Sequence, residues 1–153
     1  QRVVAFTMKN CDGKIPTKIN FQPDDLKILN KYQKNLDIIR SKIDEQNINF
    51  YINYVVNSLF DANKYFNDQA PWNKKDDPIR LNTIVYTTFE IVRKISFMLY
   101  PIIPESSLKA LKIFEIEEKD IDFSTLSNHK YLKFGKKLCQ GEILFKKIVK
   151  KND

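Results

Sequence analysis

Trp72 is the only tryptophan of the chain, and it stands in Ala70-Pro71-Trp72 between two stretches of helical spacing. A proline before an aromatic stiffens the backbone there. Such a ring can fold back over the helix ends or stand out as a flat platform. As a platform it can stack on an unpaired nucleic-acid base, a contact worth ~1–3 kcal/mol per base. Single-stranded RNA loops are read in this way, with bases splayed onto aromatic side chains. Arginine is the second informative residue type, with four (Arg2, Arg40, Arg80 and Arg93) against 22 lysines. A guanidinium offers a planar fork that takes a base edge with two bonds, which an ammonium cannot do. Arg40 reads as a solvated or salt-bridged helix position, and that plain reading stays open for the other three.

Other chemistries find no support. His129 is the single histidine and lies beside Asn128 and Lys130 in an expected loop. Without a matching Ser, Cys or carboxylate motif it reads as a surface residue, not a general base. The pairs Asp24-Asp25 and Asp76-Asp77 fall at helix starts, where capping accounts for them. Three glycines in all leave no room for a phosphate-cradling loop. No C-x-x-C occurs, and Cys11 and Cys139 read as reduced thiols of a chain without a secretory signal. No catalytic residue and no metal ligand is assigned. No run of 18 apolar residues exists, so no membrane span is expected and the location expected is cytoplasmic.

The elements that hold these residues follow from spacing. Low glycine argues against a turn-rich β fold. Residues 1–10 read as the end of a helix, and Asp12-Gly13 as a turn. Leu26, Leu29, Tyr32, Leu36, Ile39 and Ile43 recur every three or four residues, one face of a helix. Ile48, Tyr51, Val55, Leu59, Ala62 and Phe66 form a second such face, which Pro71 closes near Asp68. A third helix starts at Asp77-Pro78 and carries the widest apolar stripe, from Leu81 to Leu99. Pro101 ends it, and Pro104 opens a shorter helix with Leu108, Leu111 and Phe114 inward. The fold class expected is all-α: an antiparallel bundle of four to five helices followed by a basic strap.

Charge divides the 153-residue chain in the same place. The net charge is +7, and residues 129–151 hold eight lysines against the single acid Glu142. Residues 1–128 are close to neutral. The division expected is a helical domain over 1–128 and a basic strap over 129–153. In the strap, Leu138, Ile143, Leu144, Phe145 and Ile148 sit among lysines and predict an extended segment ending in a short helix. The sequence begins at Gln1 inside a helix-patterned stretch without a capping residue, which is the expectation for a piece of a longer chain.

Residues 63–72 read Asn63-Lys64-Tyr65-Phe66-Asn67-Asp68-Gln69-Ala70-Pro71-Trp72. An Asn-x-Tyr near a helix end followed by Ala-Pro-Trp resembles the anticodon-binding domain of methionyl-tRNA synthetases. Three further segments resemble the same family in order: Gln1–Phe6 with Asp12–Pro16, Tyr100-Pro101-Ile102-Ile103-Pro104, and Gly141–Ile148. The resemblance implies a class I synthetase helical bundle that reads the CAU anticodon of methionine tRNA, initiator and elongator alike. It implies that Trp72 stacks on the first anticodon base and that Arg2 contacts anticodon bases. A further Asn would lie four residues before Arg2, ahead of Gln1. Asn67, in the last helical turn before Trp72, is placed at the same pocket. The resemblance also implies that ATP and zinc belong to a catalytic part upstream, toward which the strap returns. The partners implied are the anticodon loop of the tRNA and that catalytic part in cis. Two alternatives stay open: the anticodon domain of another class I synthetase, and a helical interaction module without an RNA role. The near-neutral charge of residues 1–128 favours the last, which requires a shielded Trp72.

Overall fold

Six α-helices realise the helical spacing. In the computed structural model, which describes residues 1–34 and 36–139, they are α1 (Arg2–Asn10), α2 (Pro23–Lys34), α3 (Leu36–Asp44), α4 (Ile48–Gln69), α5 (Pro78–Leu99) and α6 (Pro104–Lys112). Short 3₁₀ turns follow at Pro71–Asn73, Glu118–Asp120 and Phe123–Ser127. No strand occurs among the described residues, and one isolated antiparallel bridge joins Lys14 to Lys137. α2 and α3 both lie within the stretch whose spacing predicts one helical face from Leu26 to Ile43.

Local chemistry sets the helix limits. The Asn47 side chain caps α4, its Oδ1 accepting from the Phe50 N–H at 3.1 Å. The helix stops at Ala70, a left-handed residue with φ 43°, because Pro71 disfavours the helical conformation before it. The Asp77 carboxylate caps α5, accepting from the Arg80 N–H at 2.9 Å, and Pro78 takes the first helical position. Asp12 and Gly13 both adopt positive φ, 52° and 64°, which makes the expected turn.

α5 is the centre of the bundle and packs against α1, α2, α4 and α6. Ile84, Val85, Tyr86, Phe89, Ile91 and Phe97 have no exposed surface. The expected wide stripe understates it, because Thr83, Thr87, Glu90, Arg93 and Lys94 on the same helix are also fully buried. A helix covered all round must find partners for its polar side chains. The Glu90 carboxylate accepts from Arg93 Nε at 2.8 Å and from the Leu132 N–H at 2.7 Å. Arg93 donates to the Asn128 carbonyl at 2.9 Å, and Lys94 donates to the same oxygen at 3.0 Å and to the Leu126 carbonyl. Burial, and then the charge of Arg93, push the Lys94 ammonium down to about 7. The acidic and polar stretch after α6 is thereby strapped to the middle of α5.

Several expected faces are corrected. On α2 and α3, Leu29 and Ile39 are buried, but Leu26 and Ile43 are exposed; Tyr32 and Leu36 fall outside the described side chains. Asp25 takes the inward place beside Leu29, because Arg80 of α5 meets its carboxylate there. On α4, Tyr51, Val55, Ala62 and Phe66 point inward, whereas Ile48 and Leu59 are exposed. His129, expected on the surface, is half-buried, and its Nε2 pairs with Asn30 Oδ1 at 2.8 Å. Burial, and then the charge of Lys94, lower its pKa.

The extended segment expected after residue 131 lies along the start of the chain. The Gly135 N–H donates to the Ile15 carbonyl, the Ile15 N–H to the Lys136 carbonyl and the Leu138 N–H to the Gly13 carbonyl, each at 2.8 Å. Leu132 and Leu138 are buried in the bundle. The short helix expected at the end of the strap lies outside the described residues. Both cysteines are free thiols.

Candidate nucleic-acid interface

Arg2, Asn67 and Trp72 meet at one end of the bundle, although 65 residues separate Arg2 from Asn67. α1 brings the arginine, the last turn of α4 brings the asparagine, and the 3₁₀ turn Pro71–Asn73 brings the tryptophan. Arg2 Nη1 donates to Asn67 Oδ1 at 2.5 Å. The guanidinium carbon lies 5.1 Å from the centre of the Trp72 ring and 5.5 Å from that of Phe66. Phe66 also meets Trp72 edge to face, with ring centres 6.0 Å apart. Phe6 of α1 also meets Phe66, at 5.9 Å and nearly perpendicular.

The layering is explained by burial. Phe66 is 4% exposed and forms the floor; Trp72 above it is 38% exposed. Pro71 is buried, so the turn is rooted in the bundle while its tip stays open to solvent. Arg2 and Asn67 are exposed as well. An exposed ring edge, a fork with donors at the surface and a neighbouring amide are the parts needed to take a planar polar ligand. Lys74 and Lys75 follow directly in the exposed loop and add positive charge at the rim. Beside Arg2 and Phe66 opens a largely apolar cavity of about 260 Å³ between α4, α5 and α6, bordered by Leu59. Among the described residues no group of His, Cys, Asp and Glu is suited to hold a metal ion.

All three expected site residues are therefore neighbours. The helical spacing places Phe66 in the core alone; it is core and floor at once, since one buried ring touches both Arg2 and Trp72. Gln69 beneath the turn carries no sequence signal of its own, and Arg80 stands out in the sequence only as one of four arginines; their contacts with each other and with Asp25 come from packing between helices.

Fold and site together define a small all-α domain that displays an aromatic ring and an arginine fork at one end of a helix bundle. Residues 15–153 match the family model of the anticodon binding domain of methionyl tRNA ligase. The chain belongs to that family of anticodon-binding domains. It is 34% identical over 117 residues to a methionine–tRNA ligase of Brucella suis, covering 76% of this chain and 23% of that protein. It is 31% identical over 152 residues to a methionine–tRNA ligase of Rickettsia felis, covering 95% of this chain and 29% of the other. The free form of Mycobacterium tuberculosis methionyl-tRNA synthetase superposes with a TM-score of 0.87 at 27% identity, over 97% of this chain and 31% of that one. The chain thus spans between about a quarter and a third of the length of the relatives it matches.

No helix among the described residues is long and apolar enough to cross a membrane.

Proposed function

We propose that this domain reads the CAU anticodon of methionine tRNA, initiator and elongator alike, for a methionine–tRNA ligase of the cytoplasm. The observation that carries this is the meeting of Arg2, Asn67 and Trp72 on one exposed end of a bundle of this family. Trp72 stacks on the first anticodon base, and the Arg2 fork takes base edges while Asn67 orients it. Arg2 already lies over the indole in the free domain. A cation–π contact at an exposed site is worth ~0.5–1 kcal/mol. Base stacking is worth ~1–3 kcal/mol. An arriving base therefore displaces the guanidinium from the ring and leaves its donors free for base edges. Lysines at the rim and in the strap attract phosphates without regard to sequence.

Activation of methionine with ATP, and any zinc that accompanies it, belong to the catalytic part of the ligase, and this domain contributes the choice of tRNA. A shielded indole is what a pure interaction module requires, and the 38% exposure of Trp72 speaks against it. The deciding experiment is competition among anticodon stem-loop hairpins for the domain, read by fluorescence anisotropy. A CAU hairpin is expected to displace variants with single anticodon changes. Equal binding of all hairpins, or preference for another anticodon, overturns the reading.

A further inference from the structure

The loop that carries Trp72 leaves α4 after Gln69 and enters α5 at Pro78, and its neck is closed by side chains. Gln69 is the last residue of α4, and its Oε1 accepts from Arg80 Nη2 at 2.5 Å. Arg80 is itself held from two sides. Its backbone N–H is taken by the Asp77 cap, and its guanidinium forms a two-bond fork on Asp25 of α2, at 2.6 and 3.0 Å. Tyr65, one helical turn before Gln69, donates its hydroxyl to the same Asp25. Asp25 is fully buried and the Arg80 side chain only 7% exposed. Burial opposes the Arg80 cation, and the Asp25 bonds overcome it, so its pKa rises. The guanidinium is therefore a fixed charged post at the base of the loop, and Gln69 is the side chain that ties the α4 end to it.

We propose that Gln69 is a positioning residue for Trp72: its bond to the Asp25-held Arg80 closes the neck of the loop and sets the indole at the height where Arg2 and a base meet it. This rests on the anticodon reading above. The physical need is plain. Ala70, between Gln69 and Pro71, sits at φ 43°, a conformation that non-glycine residues adopt at a cost. The turn is backed by short-range bonds of its own, Asn73 N–H to the Ala70 carbonyl and Lys74 N–H to the Pro71 carbonyl. None of these bonds reaches another helix. Gln69 at the neck bonds to Arg80 of α5, while Tyr65 one turn earlier bonds to Asp25 of α2. Asp25 and Arg80 are unsuitable probes, because removing one member of a buried pair strands the other charge and threatens the fold.

The test uses the sole tryptophan as its own reporter in the 153-residue chain. Gln69→Ala, Gln69→Glu and Trp72→Ala are compared with the parent by far-UV circular dichroism, by acrylamide quenching of Trp72 where it is present, and by affinity for a CAU hairpin. Gln69→Ala is expected to keep its helix content, raise the Trp72 quenching constant about twofold and weaken the hairpin about 3- to 10-fold, a part of the stacking contribution. Gln69→Glu keeps the acceptor for Arg80 and is expected to restore the parent's quenching. Unchanged quenching in Gln69→Ala overturns the positioning role, whatever happens to RNA. Increased quenching with unchanged hairpin affinity, in a domain where Trp72→Ala does weaken binding, overturns it too while leaving the anticodon reading intact. If Trp72→Ala itself leaves hairpin binding unchanged, the anticodon reading falls and this proposal falls with it.

Discussion

Two arginines of this domain are held by the same device in opposite surroundings. Arg2 lies between Phe66 and Trp72, with its guanidinium carbon 5.5 and 5.1 Å from the ring centres. Arg93 lies between Phe97 and Tyr131, at 5.2 and 4.4 Å. What differs is the surroundings. Arg93 is fully buried, paired with the buried Glu90 and bonded to the carbonyls of Thr125 and Asn128. Arg2 is exposed and has the neutral amide of Asn67 as its hydrogen-bond partner. A buried guanidinium with its counter-charge locks the 123–132 segment onto α5. An exposed one without a counter-charge keeps donors free for an incoming anionic or planar ligand. The contact between ring and cation is shared; desolvation and pairing decide whether the guanidinium is locked into the fold or left at the surface, where the proposed anticodon contact needs it.

Substitutions can break this contrast from either side. The largest effect is expected for Arg93→Ala. It strands Glu90 in the interior and is expected to cost about 3–5 kcal/mol of stability, read by urea unfolding. A loss under 1 kcal/mol means that Arg93 is not the lock described. Trp72→Ala is expected to leave the melting temperature nearly unchanged while weakening a CAU hairpin by about 1–3 kcal/mol. A large stability loss without a binding loss reverses the contrast. Arg2→Lys keeps the charge and removes the fork. Its expected signature is a loss of discrimination between hairpins, at most about 1–3 kcal/mol, with non-specific RNA affinity retained. Asp77→Ala removes the α5 cap and is expected to cost about 1 kcal/mol of stability.

A pH trend is also expected from the buried region. Lys94 binds its proton more weakly folded, at about 7, than at its ordinary 10.5. Between those values the unfolded chain holds more protons, so stability rises with pH. Cys11, raised to about 11 by burial and then by Asp12, acts in the opposite sense above its ordinary 9. The melting temperature is therefore expected to climb between pH 7 and 9, and Lys94→Met to flatten the climb. A slope that survives in Lys94→Met assigns the trend to another group.

Much of the fold is visible in local pattern. The Asp77-Pro78 start of α5, the stop before Pro71 and the Asp12-Gly13 turn all appear where residue type demands them, because caps, prolines and positive-φ turns act within a few residues. Inward faces are legible where every apolar position has a neighbour to bury it, as for Val55, Ala62 and Phe66. They mislead where a charged pair takes an inward place, as Asp25 does beside Leu29. His129 misleads for the same reason: its neighbours in sequence are polar, and the groups that enclose it, Asn30 and Lys94, come from α2 and α5.

The sequence alone determined the helix positions, the residue types that can stack and fork, and the concentration of positive charge after residue 128. Helix periodicity and residue chemistry are properties of short stretches, so no tertiary knowledge was needed for them. Only the tertiary structure decided which arginine is free. Arg2, Arg80 and Arg93 look alike in a Lys-rich chain, and each is defined by partners that arrive from distant elements: Asn67 and Trp72 for the first, Asp25 for the second, Glu90 and Tyr131 for the third. The cost of burying a charge depends on its desolvation and on the counter-charge beside it, and both are set by packing between helices.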